Sequence, residues 1–158
     1  MNNKFIFSLI IIILLITDIQ NANEILVYAD SITYDSDKNL IAKGNVKIIN
    51  ENEIITSDLI IYNKKQKKYI LPKNFNFKDS KNNYYHGSSG EFSEDLKDAI
   101  INDVKLQLND GSRIVGESVK RNNKIDLISK GTYSPCISRI NIKNFICPIW
   151  QLDGEKIL

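Results

Sequence analysis

The chain has 158 residues, with 21 basic against 19 acidic side chains and a net charge of +2. Once an export segment is set aside, the remainder is the size of one ordinary domain and can bury a core without a disulfide scaffold. A charge so close to balance gives no field directed at nucleic acid or at an anionic membrane, so no nucleic-acid partner is expected. The abundance of Ile, Asn and Lys is ascribed to genomic base composition and carries no functional weight.

Residues 1–22 read as a secretory signal. Lys4 supplies the positive start, Phe5 to Ile16 form an apolar run of twelve residues interrupted only by Ser8, and Ala22 offers a small residue at the cleavage point. A run of that length is short for a bilayer span. Gln20 is unfavourable for cleavage, which leaves an uncleaved anchor as the alternative, and no Cys lies close behind the run to carry a lipid.

Beyond residue 23 the pattern alternates with a period of two. Leu40, Ala42, Gly44, Val46 and Ile48 fall on one parity, with Lys43, Asn45 and Lys47 on the other. Tyr69, Leu71, Phe75 and Phe77 repeat the arrangement, as do Val104, Leu106 and Leu108, and more weakly Ile125, Leu127, Ser129, Gly131 and Tyr133. Each run is a strand with one wet face. Polar clusters such as 35–39, 50–53, 63–67, 79–83, 109–111 and 122–123 separate them, rich in Asn, Asp and Gly, which tolerate left-handed conformations and mark chain reversals. The spacing predicts eight or nine strands and no helix beyond a single turn near Ser93 to Asp98.

An internal repeat underlies this spacing. Ala29-Asp30-x-Ile32-x-Tyr34-Asp35 returns as Ser57-Asp58-x-Ile60-x-Tyr62-Asn63, as Gly87-Ser88-x-Gly90-x-Phe92-Ser93, and as Gly116-Glu117-x-Val119, at offsets of 28, 30 and 29 residues. About four units of two strands each are expected. A two-strand unit cannot bury its own apolar face, so the units must stack and share it. Periodicity leaves open whether the walls of such a stack seal into a β-sandwich or gape along one side.

The Ala-Asp-x-Ile-x-Tyr-Asp element followed by Ala42-Lys43-Gly44-Asn45-Val46-Lys47-Ile48 resembles the opening of OstA-type periplasmic domains of lipopolysaccharide transport. Gly131-Thr132-Tyr133-Ser134-Pro135-Cys136 and Cys147-Pro148-Ile149-Trp150-Gln151-Leu152 resemble the end of the N-terminal domain of the LptD family of outer-membrane lipopolysaccharide-assembly proteins. The resemblance spans about residues 25 to 157. It implies an all-β fold, the OstA-like β-jellyroll or β-taco, an open V-shaped stack of antiparallel hairpins. It also implies an activity: taking lipopolysaccharide from a periplasmic bridge protein of the same fold and passing it toward an outer-membrane barrel and its plug lipoprotein. On this reading 1–22 is the signal, 23–135 the jellyroll, and 136–158 a cysteine-bearing linker with the start of a strand leading to the barrel. The barrel itself would follow Trp150, so a truncated, split or solitary domain at the periplasmic side of the outer membrane is expected.

Each methylene of an acyl chain exposed to water costs about 0.8 kcal/mol, so a carrier has to replace that water with apolar surface. The expected lipid groove is drawn from Ile32 and Tyr34, Val46 and Ile48, Ile60 and Tyr62, Phe75 and Phe77, and Val104, Leu106 and Leu108; the alternative is that these side chains pack on one another. The N-terminal strand, with Ile25, Val27, Ala29 and Ser31, is the edge expected to receive a partner strand. Cys136 and Cys147 are expected to bond to each other, the alternative being a bridge to the barrel as in the resembling family. Two thiols without nearby His make no zinc set. The sequence gives no sign of an enzyme or a cofactor: His86 is the one histidine, Ser88 and Ser89 lack a nucleophile elbow, Asp35 and Asp37 read as turn formers, and Lys64, Lys65, Lys67 and Lys68 as a solvated turn. A bridge or inner-membrane-anchored export component, and a secreted adhesive β-solenoid, stand as the alternative functions.

Overall fold

A computed structural model describes residues 24–135 and 151–158; the expectations for residues 1–22 and for Cys136 and Cys147 lie outside the described residues. The described chain is all β and antiparallel, without a helix: β1 (Ile25–Tyr28), β2 (Ser31–Tyr34), β3 (Leu40–Asn50), β4 (Glu53–Asn63), β5 (Lys68–Leu71), β6 (Phe75–Lys78), β7 (Tyr84–Gly87), β8 (Ser89–Ser93), β9 (Ala99–Gln107), β10 (Arg113–Asn122), β11 (Ile125–Ser134) and β12 (Leu152–Ile157). All belong to one twelve-stranded sheet. The count exceeds the expected eight or nine because Asp30, residues 72–74 and Ser88 interrupt the ladder and split what the spacing reads as single strands.

Those interruptions lie on a line of bends that folds the sheet in two. The early half of β3 pairs with β2 and its late half with β1. In β4 the late half pairs with β5 and the early half with β6; in β9 the early half pairs with β8 and the late half with β7. One wall therefore holds β2, β5 and β8, the other β1, β6 and β7, and the long strands cross from wall to wall. Bending a strand requires breaking its pleat, and the register of β3 against β4 shifts between Lys43 and Val46. Gly44 (φ 73°), Asn45 (φ 47°), Asp103 (φ 49°) and Lys130 (φ 47°) take the left-handed conformation at these bends. At Gly44 both the φ and the space demand glycine, since a Cβ would strike the Asp30 carboxylate. The repeat positions Asp30, Asp58, Ser88 and Glu117 sit on this line, which is why a small residue recurs beside each.

Opposite the bend, the hairpin turns of both walls form a long mouth. Two turns share one construction: Asp35 Oδ1 accepts from the amides of Asp37 and Asn39, and Asp79 Oδ1 from those of Lys81 and Asn83. The 93–98 segment is also a turn, with Leu96 at φ 58°.

The core lies between the walls and is densest at mid-length. Phe92 from one wall meets Phe75 and Phe77 from the other, with ring centroids 5.6 and 5.0 Å apart and steeply inclined planes, and Phe77 also lies 5.3 Å from Tyr85. Each ring contributes about 1.5–3 kcal/mol by its burial. Gly87 and Gly90 form the bed of the Phe75 ring: a Cβ on Gly87 would lie 2.7 Å from the ring edge and equally close to Ile101. Gly87→Ala is therefore expected to destabilise the protein by about 1–3 kcal/mol in urea unfolding, against less than about 0.5 kcal/mol for the outward Lys105→Ala.

Candidate functional site

The two walls cover each other in the middle of the molecule and less well at the N-terminal end. There the inward rows of β1, β2, β3, β4 and β5 surround a cavity of about 250 Å³ lined by Ile25, Val27, Ile32, Leu40, Ala42, Val46, Ile48, Ile60, Tyr62 and Tyr69, with Glu94 at its polar side. Ile32 remains 47% exposed, and Tyr34, in register with Leu40 at the end of β2, is 73% exposed. β1 and β2 each pair with β3 alone, so the cavity opens onto a free sheet edge. Its polar side is fixed by one carboxylate. The Tyr62 hydroxyl donates to Glu94 Oε1 at 2.6 Å, and that bond, with burial and the charge of Glu94, pushes its pKa up to about 12. Burial, joined by Glu94, likewise raises Tyr69 to about 12. Both phenols stay neutral at any physiological pH, which keeps the cavity wall apolar.

Next to this cavity, and sharing Ile25 and Glu94 with it, lies a polar hollow of about 680 Å³ bounded by the turns at 50–53 and 93–98 and by Lys67, Lys97 and Lys124. Acidic and basic groups alternate in it: Lys97 pairs with Asp95 at 3.4 Å, and Lys124 Nζ lies 3.4 Å from the buried Glu53 Oε1, an ion-pair distance without hydrogen-bond geometry. Apolar cavity and polar hollow together make an amphipathic recess.

The sequence-derived groove residues divide into two sets. Ile32, Val46, Ile48, Ile60 and Tyr62 converge on the cavity, and Tyr34 stands at its rim. Phe75, Phe77, Val104 and Leu106 are instead buried in the central and later part of the interior, and Leu108 is half-buried beside them. The proposed edge residues Ile25, Val27, Ala29 and Ser31 do lie in or between the two edge strands.

Sequence reasoning missed Tyr69 and Leu40 as cavity residues, although both carry the right parity. It also missed a buried polar cluster at mid-length. Arg121 of β10 is 3% exposed. Its guanidinium lies 4.9 and 5.0 Å from the Phe77 and Tyr85 ring centres, and Nη2 donates to Asp79 Oδ2 at 3.2 Å, to Tyr85 Oη at 2.8 Å and to Asp126 Oδ2 at 3.0 Å. Nε donates to Asp126 Oδ1 at 2.7 Å, and the Tyr85 hydroxyl donates to Asp126 as well. The signal was the alternation Val119, Lys120, Arg121, which places Arg121 on the inward parity. His86, by contrast, lies on the outer side of its wall with Nδ1 3.1 Å from Asn76 Oδ1. Among the described residues no group of three His, Cys, Asp or Glu side chains is placed to hold a metal.

No family model matches the chain, and no curated protein matches it. A solved structure does. LptH from Pseudomonas aeruginosa, the LptA-homologous periplasmic component of the conserved lipopolysaccharide transport device, aligns over 82% of this chain and 94% of its own, with a TM-score of 0.57 at 13% identity. What the two share is the fold.

Burial alone would raise the Asp79 pKa, but the amide and side chain of Asn83, the charge of Arg121 and the Lys81 amide outweigh it and hold the carboxyl below its ordinary value. A depressed folded-state pKa stabilises above the unfolded value near 4 and is lost as pH falls through the folded one. Thermal stability is accordingly expected to drop below about pH 4, and Asp79→Asn to flatten that drop while lowering stability at pH 7; a scan of Tm against pH checks both.

Proposed function

We propose that this chain carries lipopolysaccharide through the periplasm, holding acyl chains in the N-terminal cavity while the headgroup stays in the adjoining polar hollow. The observation that carries the reading is the amphipathic recess opening on a free strand edge. At about 250 Å³ the cavity falls below the roughly 300–1,000 Å³ of pockets that enclose a whole ligand, which suits a segment of a chain that continues beyond the protein. Non-directional apolar contact lets such a chain slide. The fold shared with a periplasmic transport component supports the same compartment and cargo. In the finer form of the proposal, β1 and β2 accept the terminal strand of a bridge protein of the same fold, which would roof the cavity and continue its apolar surface. The lipid then moves on toward an outer-membrane barrel of the LptD type and its plug lipoprotein.

The ring-filled middle favours one other reading, a closed structural or adhesive β-protein that binds no lipid. Photocrosslinking separates the two. Crosslinkers at Ile48 and Tyr62 are expected to capture lipopolysaccharide strongly in cells, those at Phe75 and Leu106 more weakly; capture confined to the outward Lys47, Asn76 and Lys105 favours the adhesive protein. For the edge, Val27→Pro and Ser31→Pro are expected to lower capture of the bridge protein at least tenfold with the circular dichroism spectrum retained. Undiminished capture contradicts strand addition.

A further inference from the structure

The two walls are joined in different ways along their two long sides. At the bend the strands β3, β4, β9, β10 and β11 themselves run from wall to wall, and their pairing, which skips a residue or two at the bend, resumes on either side. At the mouth, among the described residues, no backbone-to-backbone hydrogen bond joins a turn of one wall to a turn of the other. What closes the mouth is a short set of side-chain bridges: Asn50 Nδ2 to Asp95 O at 3.2 Å, Lys124 against Glu53, Arg121 reaching Asp79 and Tyr85, and the Tyr85 hydroxyl donating to Asp126. Leu96, fully buried, fills the gap behind them.

The Arg121 bridge is built so that either half survives separation. Asp126 is the register partner of Arg121 on its own wall and holds the guanidinium by Nε and Nη2. Across the mouth, Asp79 keeps the Lys81 and Asn83 amides and the Asn83 side chain. Parting the walls therefore leaves neither charge bare, which is the condition that makes breaking a buried ion pair costly. Arg121 Nη1 is buried without a hydrogen-bond partner in the closed form, a penalty that water relieves once the mouth opens. The apolar surface uncovered beneath, from Phe77, Phe92 and Leu96, is what an acyl chain would cover.

We propose that the mouth is a lateral gate, latched by Arg121 against Asp79 and Tyr85, through which an acyl chain passes from the N-terminal cavity into the space between the walls. The gate's purpose rests on the lipid-carrier reading; its existence does not. Spin labels on non-natural amino acids at Lys81 and Lys97, exposed on opposite turns, read the mouth, and labels at Asp58 and Glu117 read the bend line. In the full chain, Arg121→Met is expected to raise a longer Lys81-to-Lys97 distance at least fivefold in population, with the Asp58-to-Glu117 distance unchanged. The rate of uptake of a fluorescent dodecanoic acid should rise with it. The milder Asn50→Ala/Lys124→Ala pair should show a smaller shift in the same direction, and it carries the test if Arg121→Met does not fold. An unchanged mouth distance in the variants that fold overturns the gate, and so does equal broadening at the bend, which reports general loosening. If dodecanoic acid binds neither wild type nor variants, the carrier reading fails while the distances still decide whether the latch exists.

Discussion

An apolar face on a folded sheet has to be covered along its whole length, and here the two walls cover each other fully only in the middle. There, with the mouth closed, the rings of Phe75, Phe77, Tyr85 and Phe92 interlock over Gly87 and Gly90 and fill the space between the walls. Toward the N-terminus the same inward rows run on past the covering wall, and Ile32 and Tyr34 stay exposed at a strand edge. Cavity, free edge and buried core are thus one periodic surface seen at different degrees of coverage.

The line of bends makes this division possible. Left-handed residues at Gly44, Asn45, Asp103 and Lys130 turn β3, β9 and β11, and pairing resumes beyond the bend, so both walls stay in one hydrogen-bonded sheet. The spine is strong because five strands cross it as covalent chain, and the mouth is weak because side chains bridge it. A structure with one strong and one weak long side is predisposed to swing about the strong one.

Much of the fold was legible because period-two alternation and recurring turn formers are local signals. The positions Asp30, Asp58, Ser88 and Glu117 of the 29-residue beat coincide with the bends. The strand count was less legible, since a bend and a strand end look alike in sequence. Of the residues expected to line a groove, Ile32, Val46, Ile48, Ile60 and Tyr62 face the cavity, whereas Phe75, Phe77, Val104 and Leu106 lie in the core. Parity tells which residues face inward but not how far the opposite wall extends over them. Arg121 escaped notice because its partners, Asp79 and Tyr85 from one wall and Asp126 from its own, are dispersed in sequence and look like ordinary turn and strand residues.

The central claim is that apolar chains enter at the uncovered N-terminal end of the folded sheet. Crystals grown with a detergent carrying bromine along its alkyl tail test it most directly, through the anomalous signal of the bromine. The account predicts peaks among Ile32, Ile48, Ile60 and Tyr69. Peaks confined to the outer faces of the walls, with that cavity empty at saturating detergent, would contradict it.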